Sequence, residues 1–346
     1  MEKGIVGLQN RGNTCYLNTS IQCLSHINPL TEFFVSDKYT EDLNNRFQEL
    51  KQKKINEIIF TKEYAKLVKV LWSSNTQIEP KTIHQLIQKY DDRFSGYDQQ
   101  DAQESLALIL DYLHEGLKYD VEINFSGSIE TELDEIMVES IKNWKTTLKE
   151  KYSIIAQLFF GQFINKVMSL EESNKDQLVS KTFEMFNLLN VPIYGNTLYD
   201  SLAKFFEKEI LESKYYDEKN KQYIDAYRQI KLMRVPKYCI IVLKRYKNQI
   251  GNLFKSNSMI TFPIDNLDLT PYSDGYDKIE CTLNLVSVGC HSGSLNGGHY
   301  YAICKHKNKK WYRYDDETVT EFNLNSDKNI LFKDGYILIY EKNETD

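Results

Sequence analysis

The spacing of the apolar residues changes partway along this 346-residue chain, and that change restricts the possible fold more than any other feature. In the first 120 residues or so, apolar side chains recur every three to four positions, which is typical of amphipathic helices. Beyond about residue 180, short runs rich in β-branched and aromatic residues take over, and these are typical of strands. We therefore predict an α+β fold in which a helical lobe precedes a sheet lobe, with a cleft between them as the place for a site.

Two amphipathic helices are predicted to begin near Cys15 and near Asp101. Their apolar faces are formed by Leu17, Ile21 and Leu24 in the first, and by Ala102, Leu106, Ile109, Leu110, Leu113 and Leu117 in the second. Further helical segments are predicted at residues 63–72, 83–90, 130–158 and 198–211, with Pro80 marking a break. Strands are predicted at residues 238–243, 282–288, 300–304 and 336–340.

Length and composition favour one continuous intracellular domain. Hydrophobic residues make up 41% of the chain and repeats are absent, so the composition is that of a packed globular protein. A net charge of -6 does not suggest a nucleic-acid surface. The sequence contains no basic-then-apolar leader and no apolar stretch of the roughly 18 residues that a membrane span needs. Its six cysteines are widely spaced. We therefore expect a monomer of the cytoplasm or nucleus, with reduced thiols and no membrane or nucleic-acid partner.

Cys15 follows a Gly-Asn-Thr loop at the point where the first helix begins. The unpaired N–H groups and positive dipole at a helix N-terminus favour the thiolate, which is the nucleophilic form of cysteine. The alternative is a buried structural thiol, because cysteine is among the most buried residue types.

His299 and the pair Asp315-Asp316 belong to two strands that are predicted to form a hairpin. His299 follows two glycines and opens the apolar strand at 300–304, while the two aspartates follow the aromatic strand Trp311-Tyr-Arg-Tyr314. Pairing of these strands across a loop at 305–310 would bring an aspartate to the imidazole, where it could accept a hydrogen bond from Nδ1. The alternatives are a strand-edge histidine and an Asp-Asp turn.

Asp101 and Glu104 lie three residues apart in the first turn of the second helix. Both carboxylates can therefore share a face and bind one guanidinium group. Acidic residues are also expected in a first turn because they interact favourably with the helix dipole.

We predict no metal and no cofactor. Structural zinc sites usually require paired Cys-x-x-Cys or equivalent histidine motifs, and the chain contains no such pair. A glycine loop that could hold phosphate between a strand and a helix is also missing.

Six ordered stretches resemble the sequence boxes of the ubiquitin-specific proteases, and together they span nearly the whole chain. They are Gly7-Leu-Gln-Asn-Arg-Gly-Asn-Thr-Cys15-Tyr-Leu-Asn18, Gly96-Tyr-Asp-Gln-Gln-Asp-Ala-Gln-Glu104, Leu158-Phe-Phe-Gly161, Leu243-Lys-Arg-Tyr246, Gly298-His299-Tyr300 and Tyr336-Ile-Leu-Ile-Tyr340. The resemblance implies a thiol-dependent deubiquitinase that cuts the peptide or isopeptide bond after the C-terminal glycine of ubiquitin.

The resemblance also implies a role for each site residue. Cys15 would attack the carbonyl carbon of that glycine, His299 would act as its base and later as an acid, and Asp315 rather than Asp316 would orient His299. Asn10 would donate a hydrogen bond to the oxyanion beside the Cys15 N–H. For the binding of ubiquitin's tail, Asp101 and Glu104 would hold its arginine, and residues 291–298 would form a mobile loop over the tail channel.

The implied fold is papain-like, with the parts of a hand. The expected boundaries within one catalytic domain, residues 1–346, are a helical thumb at about 1–120, a helical connection at about 121–158, β-fingers at about 159–235 and a β-rich palm at about 236–346. Many family members carry two Cys-x-x-Cys pairs in the fingers, but residues 166–180 and 215–227 contain no cysteine here. The fingers are therefore expected either to be held by sheet pairing and packing, for instance through Tyr215, Tyr216 and Tyr223, or to be shortened and looser.

Three alternatives to this function stay open. The first is a catalytically silent member of the fold that binds ubiquitin as a scaffold. The second is another cysteine enzyme with the same Cys, His, Asp order, such as an acyltransferase. The third is a protease for a ubiquitin-like modifier.

Overall fold

The structure is a computed structural model that describes residues 2–49, 55–74, 76–96, 98–149, 151–249, 252–275, 280–294 and 297–343. Its helices are α1 Cys15–Ser25, α2 Asn28–Val35, α3 Tyr39–Glu49, α4 Ile55–Leu71, α5 Lys81–Tyr90, α6 Ala102–Leu117, α7 Glu132–Leu148, α8 Ile154–Phe159, α9 Leu198–Phe205 and α10 Leu324–Asp334. Its strands are β1 Gly161–Ser169, β2 Leu178–Phe186, β3 Leu189–Pro192, β4 Glu209–Ile210, β5 Tyr215–Asp217, β6 Gln222–Ile224, β7 Ala226–Arg234, β8 Tyr238–Lys244, β9 Tyr246–Gln249, β10 Asn252–Lys255, β11 Leu267–Asp268, β12 Thr282–Ser294, β13 Gly297–Lys305, β14 Trp311–Asp315, β15 Thr318–Phe322 and β16 Gly335–Lys342. Helices dominate the first part of the chain and strands the second, which confirms the predicted α+β class.

Helix α1 lies at the centre of the helical lobe and is buried on all of its faces. It packs against α6, where the Ser20 and Ser105 hydroxyls lie 2.6 Å apart, and against the sheet through β13. The predicted apolar face of α6 is fully buried, and each buried leucine or isoleucine side chain contributes about 1.5–3 kcal/mol to folding. The first residue of α1 is therefore fixed between the two lobes.

An eight-stranded sheet forms the second lobe. Seven of its strands run in the order β15-β14-β13-β12-β16-β8-β3, and β11 pairs with β12. All neighbouring pairs are antiparallel except β3 with β8. The first six residues of β8 are buried without alternation, as expected for a strand covered on both faces.

A separate four-stranded sheet, in the order β2-β1-β7-β4, extends from this body, and a small hairpin, β5-β6, accompanies it. Asp176, in the β1–β2 turn, accepts a hydrogen bond of 2.6 Å from the Tyr227 hydroxyl on β7. On the hairpin, the rings of Tyr216 and Tyr223 lie 5.1 Å apart and both are exposed. Sheet pairing, polar contacts and apolar packing thus hold this sheet, while the three tyrosines that were predicted to hold the fingers all lie on the hairpin.

Four predicted segments differ from the structure. Residues 130–158 form two helices, because Ser153 caps the start of α8 by accepting a hydrogen bond from the Ala156 N–H. The helix predicted at 198–211 ends at Phe205, because Glu209 and Ile210 pair with β7 as an edge strand. Strand structure begins at β1, about twenty residues before the predicted change, and β13 begins at Gly297, three residues before the predicted strand.

Within the residues that the structure describes, no helix is long and apolar enough to cross a lipid bilayer.

Candidate active site

Cys15 is the first residue of α1 and is almost completely buried. The loop before it folds around the side chain of Asn10, whose Oδ1 accepts hydrogen bonds from the N–H groups of Gly12 at 2.9 Å and Thr14 at 3.2 Å. Gly12 has a φ of 98°, and a Cβ at this position would meet nothing within 4 Å, so the backbone conformation rather than space favours glycine. The thiol therefore lies at the positive end of the α1 dipole, as predicted.

His299 and Asp315 meet across the β13–β14 hairpin, as predicted. The hairpin register pairs Ala302 with Tyr314, and His299 Nε2 lies 2.6 Å from Asp315 Oδ1. The prediction that the ring would contact the aspartate through Nδ1 was wrong. His299 is the third residue of β13, and its ring is turned so that Nε2 faces Asp315 at the end of β14. The imidazole of His299 also makes a hydrogen bond with the Cys15 side chain.

Two hydrogen bonds raise the pKa of His299 to about 9. The larger contribution comes from the hydrogen bond with Cys15, and a smaller one comes from Asp315, while burial acts in the opposite direction. The imidazolium form is therefore favoured at neutral pH, in the position from which it can return a proton to a leaving amine.

Arg313 holds the second oxygen of the Asp315 carboxylate, a contact that was not predicted. Its Nη2 donates to Asp315 Oδ2 at 2.7 Å, and its guanidinium lies 4.1 Å from the ring centroid of Tyr301. The signal was available in the sequence, because residues two apart on a strand point to the same side. Arg313 thus fixes the carboxylate that orients His299.

The segment before Asn10 lies against the turn that follows Asp315. The Leu8 N–H donates to the Asp316 carbonyl oxygen at 2.8 Å, and the Asn10 N–H donates to Glu317 Oε1 at 2.9 Å. Any side chain at Gly7 would put its Cβ 2.3 Å from the Glu317 carbonyl oxygen, so this approach requires glycine. Residues 7–10 and the turn that follows β14 are therefore joined next to the loop that leads to the candidate nucleophile.

The Asp316 carboxylate connects this turn to both the Asn10 loop and α1. Its Oδ2 accepts from Asn10 Nδ2 at 2.8 Å, and its Oδ1 accepts from Asn18 Nδ2 at 2.7 Å. Its Oδ2 lies 3.8 Å from His299 Nε2, farther than Asp315. One N–H of the Asn10 amide is thus committed to Asp316, and the role of the other as an oxyanion donor stays a prediction.

Gln99 is a second site residue that the predictions missed. Its Nε2 lies 3.8 Å from Cys15 Sγ and donates to the Gly298 carbonyl oxygen, while its Oε1 accepts from the Gly298 N–H at 3.3 Å. Gln99 therefore joins the segment before α6 to the residue before His299. Local sequence pattern gave no signal for this contact, since the partner lies 199 positions away.

Asp101 caps α6, and Glu104 lies in its first turn, as predicted. Asp101 Oδ1 accepts from the Gln103 N–H at 2.7 Å, and Oδ2 accepts from the Tyr336 hydroxyl at 2.8 Å. Burial raises the pKa of Asp101, and Glu104 is exposed. The two carboxylates therefore lie at the same helix end, although Asp101 is already bonded to β16.

The predicted loop at 291–298 belongs in part to strands, because residues 291–294 pair with 297–300 between β12 and β13. Leu295 and Asn296 lie outside the described residues. His291 Nδ1 lies 2.9 Å from the Tyr246 hydroxyl, and burial lowers the pKa of His291 to about 4. The prediction of a mobile cover therefore stays untested.

The stretches where zinc would be expected in the four-stranded sheet do not fit a metal. Residues 166–180 and 215–227 contain neither cysteine nor histidine, the usual donors to structural zinc. Among the described residues, the one grouping with metal-ligand spacing is His299, Asp315 and Asp316. Hydrogen bonds from Arg313, Asn10 and Asn18 already occupy its carboxylates.

The chemistry that this arrangement supports is acyl transfer. A thiol at a helix N-terminus lies next to an imidazole, the imidazole is oriented by a carboxylate, and the side-chain amide nitrogen of Gln99 lies 3.8 Å from the sulfur. Such groups activate a nucleophile, shuttle its proton and stabilise an oxyanion.

Comparison with known proteins finds matches along the full chain. A family model described as "Ubiquitin carboxyl-terminal hydrolase" matches residues 6–340. Ubiquitin carboxyl-terminal hydrolase Usp2 of Drosophila melanogaster is 30% identical over 98% of this chain, and the human Ubiquitin carboxyl-terminal hydrolase 2 is 29% identical over 98%. The chain spans 35% of the fly protein and 55% of the human one.

Solved structures match the fold as well. The SAGA Ubp8/Sgf11/Sus1/Sgf73 DUB module bound to ubiquitin aldehyde contains a chain with a TM-score of 0.77 and 22% identity, covering 100% of this chain and 71% of that one. The SAGA DUB module that contains a point variant of Ubp8, bound to monoubiquitin, gives a TM-score of 0.76 and 21% identity, covering 100% of this chain and 70% of that one. These matches confirm the predicted fold. Because both relatives occur in assemblies, they give no support to the expected monomer.

Proposed function

Because this chain belongs to the ubiquitin carboxyl-terminal hydrolase family, we propose that it is a cysteine-type deubiquitinase. It would hydrolyse the peptide or isopeptide bond that follows the C-terminal glycine of ubiquitin. The observation that carries the proposal is the contact series from Cys15 through His299 to Asp315, at the N-terminus of a buried helix and between the two lobes. The reaction needs no metal or cofactor, since a thiolate, an acid–base group and oxyanion donors suffice.

Each residue has a distinct part in the proposed reaction. Cys15 attacks the glycine carbonyl, and the oxyanion is stabilised by the Cys15 backbone N–H and by the second N–H of the Asn10 side-chain amide, a contribution of about 10²–10³ in rate per donor. His299 then protonates the leaving amine and afterwards activates water. Asp315 keeps the ring in place through the 2.6 Å contact at Nε2.

We also propose the hand-like division of the chain, with a thumb at about 1–120, a connection at about 121–158, fingers at about 159–235 and a palm at about 236–346. The four-stranded sheet supports the fingers, because its strands begin at Gly161 and end at Arg234. Strand β3 lies within that range but pairs with β8, so residues 189–192 belong to the palm in this division.

Ubiquitin is the proposed partner, with its tail between thumb and palm. The carboxylates of Asp101 and Glu104 at the start of α6 would bind the arginine of that tail, by the charge-assisted hydrogen bonds that a guanidinium favours. The exposure of Glu104 supports this role. Since all six cysteines are free thiols, we further propose a reducing compartment, the cytoplasm or the nucleus.

The test is reaction of the protein with ubiquitin that carries a thiol-reactive group at its C-terminus. Labelling should be abolished in Cys15→Ser and slowed in His299→Ala. Binding of ubiquitin without labelling of the folded unmodified protein would replace the proposal with a silent scaffold. Absence of both labelling and binding would favour a ubiquitin-like modifier or another acyl-transfer substrate.

A further inference from the structure

A groove on the thumb begins directly beside Cys15. Its first part is a cleft of about 250 Å³ between the loop at residues 9–14 and α5, lined among others by Arg11, Thr14, Lys81 and His84. A second cleft of about 220 Å³ lies between α4 and α5. The two clefts share Glu79 and Pro80 in their linings and are therefore adjacent, and we call them together the groove.

The groove lies apart from the proposed tail-binding residues. Thr14, the residue before Cys15, forms part of its wall, but Asp101 and Glu104 do not line it. The Cys15 thiol is contacted by Gln99 and His299. An isopeptide bond has two sides, and the polypeptide that carries the modified lysine must leave Cys15 in a direction not occupied by the ubiquitin tail.

We propose that this groove receives the polypeptide whose lysine carries ubiquitin, and that it favours an acidic residue close to that lysine. The inference rests on the proposed function and adds the substrate's second half to it. The occupant is the leaving part of the substrate, not ubiquitin's tail.

The charges along the groove support the acidic preference. Arg11 forms an ion pair with Glu79, so these two side chains largely neutralise each other. Lys81 is exposed at the first residue of α5 and makes no ion pair within the described part of the chain. Burial lowers the pKa of His84, which keeps that ring neutral near pH 7. The cleft near Cys15 therefore has one positive charge available for a carboxylate.

The second cleft is more apolar. Leu67 and Ile78 contribute to its lining, and Val70 is 44% exposed there. An apolar side chain farther along the substrate would gain burial against these residues. The groove thus combines a charged cleft near the reacting bond with a more apolar cleft away from it, in which Lys66 is paired with Glu63.

The experiment compares one substrate that has no polypeptide on the leaving side with two that do. The first is ubiquitin with aminocoumarin at its C-terminus; the others are ubiquitin joined by an isopeptide bond to lysine peptides with acidic or with basic flanking residues. Lys81→Glu is the variant, and Lys89→Glu, on the same helix but outside both clefts, is the matched control. Thermal unfolding and circular dichroism confirm that each variant is folded.

The unmodified protein should prefer the acidic peptide. Lys81→Glu should lower kcat/KM for that peptide by about fivefold, the range expected when an exposed ion pair becomes a like-charge contact, and leave the aminocoumarin substrate within about twofold. Lys89→Glu should leave all three values unchanged. Equal effects of Lys81→Glu on all three substrates, or a retained acidic preference, would overturn the inference. No turnover of any substrate by the unmodified protein would instead overturn the proposed function and remove the basis of the inference with it.

Discussion

Replacing Asp315 with asparagine should separate the two roles of this side chain, orientation of His299 and stabilisation of its charge. An asparagine can place its carbonyl oxygen where Oδ1 now lies, 2.6 Å from Nε2, so the ring should keep its direction. Its amide nitrogen would face the Arg313 guanidinium, which now donates to Oδ2 at 2.7 Å, so Arg313 should turn away. The main loss is therefore the negative charge beside the imidazolium.

The size of the effect follows from the pKa of His299, which is raised to about 9 chiefly by Cys15 and secondarily by Asp315. An opposite charge at such a distance typically shifts a pKa by about 1–3 units, and His299 is 42% exposed, so the low end of that range, about one unit, is expected. A raised histidine pKa means that the charged form is stabilised below the ordinary value near 6.5 and that this stabilisation is lost as the pH rises through 9.

The assay is the pH dependence of kcat/KM for ubiquitin–aminocoumarin between pH 6 and pH 10. Activity of the unmodified protein should decline with an apparent pKa near 9, as the imidazolium loses the proton that the leaving amine needs. Asp315→Asn should move this decline about one unit lower, with a modest loss at the optimum. Asp315→Ala, which removes orientation as well, should lose about 10²–10³ in rate.

Two results would refute this reasoning. One is an unchanged alkaline limb in Asp315→Asn, which would mean that the charge of Asp315 does not act on His299. The other is a loss of less than tenfold in Asp315→Ala, which would assign orientation to the neighbouring Asp316, now 3.8 Å from Nε2.

Four further outcomes are expected. Asp316→Asn should lower the free energy of unfolding by about 1–3 kcal/mol, because its amide cannot accept from both Asn10 and Asn18; unchanged denaturant unfolding would contradict these hydrogen bonds. Asp101→Ala should raise KM more than it lowers kcat. Asp101→Ser keeps the helix cap, which is worth about 1 kcal/mol, and should show the same KM as Asp101→Ala. A KM equal to that of the unmodified protein in both variants would count against tail binding. Tyr227→Phe should speed amide hydrogen exchange in the β1–β2 turn, because it removes the hydroxyl that now donates a hydrogen bond to Asp176 in that turn. Exchange as slow as in the unmodified protein would argue against a stabilising role for this hydrogen bond. Metal chelation should leave turnover unchanged, and a loss restored by zinc would show that donors other than cysteine hold a metal.

Local patterns predicted much of the site because its chemistry lies at the ends of secondary-structure elements. Helix starts at Cys15 and after Asp101, and a hairpin that brings His299 to Asp315, could be read from spacing, turn residues and apolar runs. Family resemblance, now confirmed by the match over residues 6–340, supplied the choice of Asp315 over Asp316 as the partner of His299. The structure agrees with that choice in distance, since Asp315 lies 2.6 Å and Asp316 lies 3.8 Å from His299 Nε2.

Local patterns failed where distant segments decide the structure. Residues Glu209 and Ile210 continue a helical pattern, yet they form a strand because the edge of β7 offers backbone partners. Nothing near Gln99 indicates that its amide will hold the Gly298 peptide. The ring nitrogen that faces Asp315 likewise depends on the register of two strands and on the rotamer that packing selects.

The chain's own sequence, through its periodicity, caps and turn residues, determined which segments become helix or strand and which reactive side chains stand at their ends. Such preferences act over a few residues, so they are legible without the fold. Only the tertiary structure decided that Asp316 would accept hydrogen bonds from Asn10 and Asn18, roughly three hundred positions away, and that Arg313 would hold Asp315. Contacts of this kind depend on strand register and on the packing of α1 against the sheet, because hydrogen bonds require donor and acceptor to be placed within a few tenths of an ångström.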